Sequence, residues 1–154
     1  MGVSHSASET LSDFARTRTV LVVDDETSIR ELIAVMLELE GYRVLQADCG
    51  AAALKIAAIE DLALITLDVM MPDLDGWAVA EVLDASERTA KIPRMMVSGK
   101  PLIELESAPG RARASAVLTK PFDFAEFTDL VRRLVPDPLP VPLPRADAET
   151  RTSG

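Results

Sequence analysis

Five short apolar runs alternate with stretches whose apolar residues recur at helical spacing. The first run, Thr19 to Asp25 (TVLVVDD), is β-branched, ends in two aspartates and reads as a buried strand. Behind it Ile29, Leu32, Ile33, Met36 and Leu37 line one face of a helix, and Gly41 stands where that helix should stop. Tyr42 to Ala47 predicts a second strand, Ala51 to Ile59 an alanine-rich helix, and Leu62 to Leu67 a third strand closing on Asp68. The loop Met70 to Gly76 (MMPDLDG) leads into a helix through about Ala85. Ile92 to Val97 predicts a fourth strand ending at Ser98, followed by a short, proline-bounded helix over about Leu102 to Ala108. Ser115 to Thr119 predicts a fifth strand ending at Lys120, and Phe124, Phe127, Leu130, Val131 and Leu134 stripe the last helix. This alternation predicts an α/β domain built around a parallel sheet.

The flanks carry no such pattern. Residues 1–18 are polar and aperiodic, which predicts a disordered lead-in. In the final segment, 136–154, proline occupies 136, 138, 140, 142 and 144, which excludes helix and central strand and predicts a flexible spacer of polyproline II character. The folded unit is therefore expected at 19–135. No apolar run approaches the roughly 18 to 20 residues that span a bilayer, and the lead-in has no hydrophobic block, so neither membrane nor secretory signal is expected. A cytoplasmic location is the expectation.

Composition narrows the chemistry. The 154 residues carry a formal net charge of −9, and nearly all of the excess acid falls within 19–135. An acidic unit repels phosphate backbones, and Arg111 with Arg113 and Arg132 with Arg133 are pairs too small to offset it, so no nucleic acid partner is expected. Cys49 is the only cysteine, which excludes a disulfide and a thiolate metal site. His5 is the only histidine and lies in the lead-in, which excludes Ser/His/Asp and Cys/His nucleophiles and histidine zinc sites. The seven glycines form neither a phosphate-cradling P-loop nor a dinucleotide fingerprint.

In open parallel sheets ligands bind beyond the carboxyl ends of the strands. Four of the five predicted strands deliver a polar residue there: Asp24 and Asp25, Asp68, Ser98, and Lys120. Singly each has an ordinary reading, such as a helix cap for Asp25 or Thr27 and turns at Ser98 and Lys120. Together they place three carboxylates in one crevice, where mutual repulsion and burial demand compensation. A hard cation such as Mg²⁺ suits carboxylate and carbonyl oxygens, and Lys120 adds a positive charge. A carboxylate beside two such cations can attack a phosphoryl group, with the Ser98 hydroxyl placed to bond a phosphoryl oxygen.

The motifs LVVDDE (Leu21 to Glu26), LDVMMPDLDGW (Leu67 to Trp77), VSGK (Val97 to Lys100) and TKPF (Thr119 to Phe122) resemble, in this order and spacing, the receiver domain of two-component response regulators. The resemblance implies a (βα)₅ flavodoxin-like, doubly wound five-stranded parallel sheet of order 2-1-3-4-5. It implies a stand-alone receiver that takes a phosphoryl group from a histidine kinase or histidine phosphotransfer protein. By position Asp68 is the expected phospho-acceptor. Asp24, Asp25, Asp68 and the backbone carbonyl of Met70 are the expected Mg²⁺ ligands, Ser98 the switch hydroxyl and Lys120 the phosphoryl contact. Output is expected as a protein contact through the face of helix four, strand five and helix five, with no metabolite turned over. Val117 stands where the family often has an aromatic ring, so an aromatic rotamer switch is not expected there. Two other readings remain open: a degenerate receiver that binds partners without phosphorylation, and a phosphatase of the haloacid dehalogenase type, suggested by Asp73-Leu74-Asp75-Gly76.

Overall fold

The computed structural model describes residues 18–135; the rest of the expected lead-in and the proline-rich segment lie outside the described residues. Chain order is β1 (Thr19–Val23), α1 (Thr27–Leu39), β2 (Arg43–Ala47), α2 (Gly50–Ile59), β3 (Leu64–Asp68), α3 (Gly76–Asp84), β4 (Arg94–Ser98), α4 (Leu102–Glu106), a 3₁₀ turn (Arg111–Arg113), β5 (Ala116–Thr119) and α5 (Phe124–Leu134). All four strand pairings are parallel, in the order β2-β1-β3-β4-β5. This is the doubly wound sheet expected from the sequence.

Helices cover both faces, so the central strands are apolar throughout rather than alternating. Leu21, Val23, Ile65, Leu67 and Met96 pack toward Ala53 and Ala57 of α2, Val79 and Leu83 of α3 and Leu105 of α4. On the other face Val20, Val22, Leu64, Met95 and Val97 meet Ile33 and Leu37 of α1 and Phe127 and Val131 of α5. Strands β1, β3 and β4 are buried along their whole length, whereas the edge strand β2 is exposed at two of its five positions.

Helix α1 ends as Gly41 predicts. The N–H groups of Gly41 and Tyr42 return to the carbonyls of Glu38 and Leu37, both at 3.0 Å, a Schellman closure that puts Gly41 at φ +94°. Arg18, the last residue of the expected lead-in, is tied to this corner. Its guanidinium donates to the carbonyls of Glu40 and Gly41 and stacks 4.9 Å over the Tyr42 ring.

Several elements depart from expectation, β3 first, which begins at Leu64 rather than Leu62. Strand β4 begins at Arg94, two residues late, because Ile92-Pro93 precedes the ladder and proline has no N–H to give it. Arg94 also breaks the apolar reading of this strand: its side chain is 2% exposed, donates to Asp84 at 2.5 Å and bonds the carbonyls of Ala80, Thr89, Ala90 and Ile92. It thereby ties the end of α3 to the loop feeding β4. Helix α4 is only Leu102–Glu106, and the 3₁₀ turn after Gly110 was not anticipated. Ions join this turn to its surroundings, with Arg111 on Glu106 and Arg113 on Asp84.

Candidate functional site

The crevice at the carboxyl edge of the sheet lies where the chain order reverses, with β1 paired to β2 on one side and β3 on the other. Asp24 follows β1 directly and is 1% exposed. Its Oδ1 accepts the Glu26 N–H at 2.9 Å, and its Oδ2 accepts from Lys120 Nζ at 3.0 Å. Asp68 is the last residue of β3 and 6% exposed; its Oδ1 accepts the Met70 N–H at 3.2 Å, and its Oδ2 lies 3.7 Å from Lys120 Nζ. Asp25 is exposed, yet one carboxylate oxygen of each of Asp24, Asp25 and Asp68 falls within 4.8 Å of the others.

The remaining expected residues frame this cluster. Ser98 ends β4, fully buried, opposite Thr119 in the ladder, and its Oγ accepts the Lys100 N–H at 3.1 Å. The Lys120 N–H donates to the Ser98 carbonyl at 2.7 Å, so the two strand ends that carry the hydroxyl and the ammonium are joined directly. The peptide bond from Lys120 to Pro121 is cis. Met70 is exposed beside Asp68.

The ordinary alternatives fare less well. Glu26 occupies the α1 cap with no side-chain cap bond, so neither Asp25 nor Thr27 is spent on capping. In the Asp73-Leu74-Asp75-Gly76 run, Asp75 caps α3 through the Ala78 N–H at 2.9 Å, and Asp73 is exposed in a loop at φ +69°. Gly76 starts α3 so close to the strand end that a Cβ there would meet the Asp68 carbonyl oxygen at 2.5 Å. A missing side chain therefore lets α3 close over the base of the crevice.

Electrostatics follow from this packing. Burial, then the charge of Asp24, pushes the Asp68 carboxyl up to about 6 from 3.8, with Asp25 adding to the rise; Lys120 and the Met70 N–H pull it back. One ammonium does not offset three carboxylates, so the crevice as built favours a further cation. Its donors are all oxygen, the set a hard divalent ion of Mg²⁺ type takes. The residues fit such an ion.

One contributor was not found from the sequence. Arg30 of α1 donates to the Asp24 carbonyl at 2.9 Å and to Gln46 Oε1 of β2 at 3.0 Å.

Comparison with known proteins agrees with this geometry. The family model of the response regulator receiver domain matches residues 20–132. The chain is 37% identical over 116 residues to the DNA-binding dual master transcriptional regulator RpaA of Synechocystis, covering 75% of this chain and 48% of that one. To the phosphate regulon transcriptional regulatory protein PhoB of Pseudomonas aeruginosa it is 38% identical over 117 residues, covering 76% and 50%. It thus spans about half the length of the curated relatives it matches. Among solved structures, the response regulator TrrA of Thermotoga maritima in complex with Mg²⁺-BeF superposes with a TM-score of 0.70 at 30% identity, covering 76% of this chain and 98% of that one. With the family model running from the second residue of β1 through β5 and most of α5, the chain belongs to the response regulator receiver domain family.

Proposed function

We propose that this receiver works by phosphorylation of Asp68, with Mg²⁺ held by Asp24, Asp25, Asp68 and the backbone carbonyl of Met70. The observation that carries the reading is the placement of the Asp68 carboxylate: buried at a strand end, between two further carboxylates and the Lys120 ammonium. A carboxylate oxygen of Asp68 attacks the phosphorus of a phosphohistidine on a kinase or phosphotransfer protein. The P–N bond breaks, and its electron pair leaves with the imidazole. When bound, Mg²⁺ supplies charge neutralisation for the carboxylates and the phosphoryl oxygens.

The chain's own residues supply the rest. Lys120, now shared between Asp24 and Asp68, has donors to give a phosphoryl oxygen. Asp68 must be ionised to attack, and against the burial and neighbouring carboxylates that disfavour its anion, Lys120 and the Met70 N–H favour it. Ser98 can turn its hydroxyl to a phosphoryl oxygen, drawing the loop after β4 with it. Gly99 follows Ser98 directly, and a Cβ built on it would meet no atom within 4 Å. Downstream of the loop, Leu102 and Ile103 of α4 are 50% and 78% exposed, apolar surface suited to a protein partner on the α4, β5 and α5 face. A phosphodonor must bring its imidazole to Asp68. A groove of about 350 Å³ is lined by Ile29, Leu32, Pro121, Phe122 and Lys120, the last of which also contacts Asp68.

The test is to incubate the chain with Mg²⁺ and acetyl phosphate, which transfers its phosphoryl group with acetate as leaving group. An adduct of ~80 Da, acid-stable and base-labile, is expected on the wild type and absent from Asp68→Asn. An unlabelled wild type that still binds its partners would replace this reading with a phosphorylation-independent binding module.

A further inference from the structure

Three carboxylates meet at the site, but they are not held alike. Asp24 is fixed at both oxygens, by the Glu26 N–H and by Lys120, and Asp68 by the Met70 N–H and Lys120. Asp25 is exposed, and none of the hydrogen bonds or ion pairs among the described residues involves its carboxylate. Among the described residues, only the backbone therefore constrains where this side chain starts. The peptide that joins Asp24 to Asp25 is pinned through its carbonyl oxygen, which accepts from Arg30 at 2.9 Å in a partly buried contact. Arg30 is itself anchored by Gln46 at 3.0 Å, on the neighbouring strand β2. The Asp24 N–H closes the frame by donating to the Ala47 carbonyl at 3.2 Å, one residue along from Gln46.

We infer that Arg30 is a positioning residue of the cation site, fixing the peptide that aims Asp25 at the ion, with Gln46 as its anchor. The guanidinium is suited to this because its planar fork bonds a carbonyl and an amide oxygen at once. The inference rests on the reading of Asp24, Asp25 and Asp68 as Mg²⁺ ligands. It runs against simple electrostatics, since a positive charge near a cation site repels the ion and its removal should tighten binding. The two effects have opposite sign, which makes them separable.

Mg²⁺ alone is titrated calorimetrically into wild type, Arg30→Met, Arg30→Lys, Gln46→Leu and the double variant Arg30→Met/Gln46→Leu, with metal-free melting temperatures recorded for each. A carbonyl released from a charged donor is expected to weaken Mg²⁺ binding by about five- to tenfold in Arg30→Met. Arg30→Lys, which keeps the charge and one donor, should recover part of the loss. Gln46→Leu, with no change of charge, should weaken binding about two- to threefold, and the double variant should match Arg30→Met because Gln46 acts through Arg30. Binding in Arg30→Met as tight as or tighter than in wild type would overturn the inference and leave the site reading intact. Additive losses in the double variant would overturn the anchoring role of Gln46, and a wild type that binds no Mg²⁺ would overturn the site reading and the inference together.

Discussion

Lys120 Nζ donates to Asp24 Oδ2 at 3.0 Å, joining residues 96 positions apart in the chain and closing the cluster from the β5 side. The contact explains how a carboxylate 1% exposed persists beside another that is 6% exposed. Removing the ammonium leaves two buried carboxylates facing each other.

Lys120→Met should therefore lower the unfolding free energy of the metal-free chain at neutral pH by about 3 kcal/mol, the usual cost of taking one partner from a buried ion pair. It should also raise the Asp68 carboxyl further, since Lys120 is the largest influence pulling it down. Urea unfolding with and without saturating Mg²⁺ checks this; the deficit should shrink when the ion is present.

The pH dependence of stability in metal-free protein should have a sign unusual for an aspartate. Asp68 titrates at about 6 in the folded chain against 3.8 for an ordinary side chain, so between those values the folded state holds a proton that the unfolded state has lost. Its stabilising effect is complete below the unfolded value and disappears as pH rises through about 6. No histidine lies in 18–135 to mask the step. Unfolding midpoints should fall between about pH 4 and about pH 6 and level off above that, and Asp68→Asn should abolish the fall. Mg²⁺ needs the ionised form, so its affinity should drop about tenfold per pH unit below about 6.

How far the sequence reached is clearest at the strand ends. Asp24, Asp68, Ser98 and Lys120 each terminate an apolar run, and a run that ends in a polar residue marks both the strand and the face where the residue lands. Gly41 was readable for the same kind of reason, because a positive φ leaves few choices of residue. Arg94 and Arg30 were not readable. Arg94 sits inside an apolar run, and only its partners, the Asp84 carboxylate and the carbonyls of Ala80, Thr89 and Ala90, show why a charge can be buried there. Arg30 acts through a backbone carbonyl, which leaves no trace in residue identity.

Arg94→Met should cost about 3 kcal/mol or more, because it leaves the Asp84 carboxylate without its buried partner and strips donors from the carbonyls of Ala80, Thr89 and Ala90. Arg94 starts β4 and the site lies at the other end of the strand, so calorimetric Mg²⁺ affinity of the folded fraction should not change.

Thr66, buried in β3, has a hydroxyl with no hydrogen-bond partner among the described residues. Thr66→Val keeps the shape and removes the orphan, and should stabilise the chain by about 1 kcal/mol by denaturant unfolding. Labelling at Asp68 should be untouched.

The central claim is that Asp68 carries the phosphoryl group. After treatment with Mg²⁺ and acetyl phosphate, borohydride reduces an aspartyl phosphate to homoserine, and tandem mass spectrometry locates it in the digested chain. The account predicts homoserine at position 68 alone, dependent on Mg²⁺. Homoserine at Asp24, Asp25 or Asp73, or none at all in a chain that binds Mg²⁺, would contradict it.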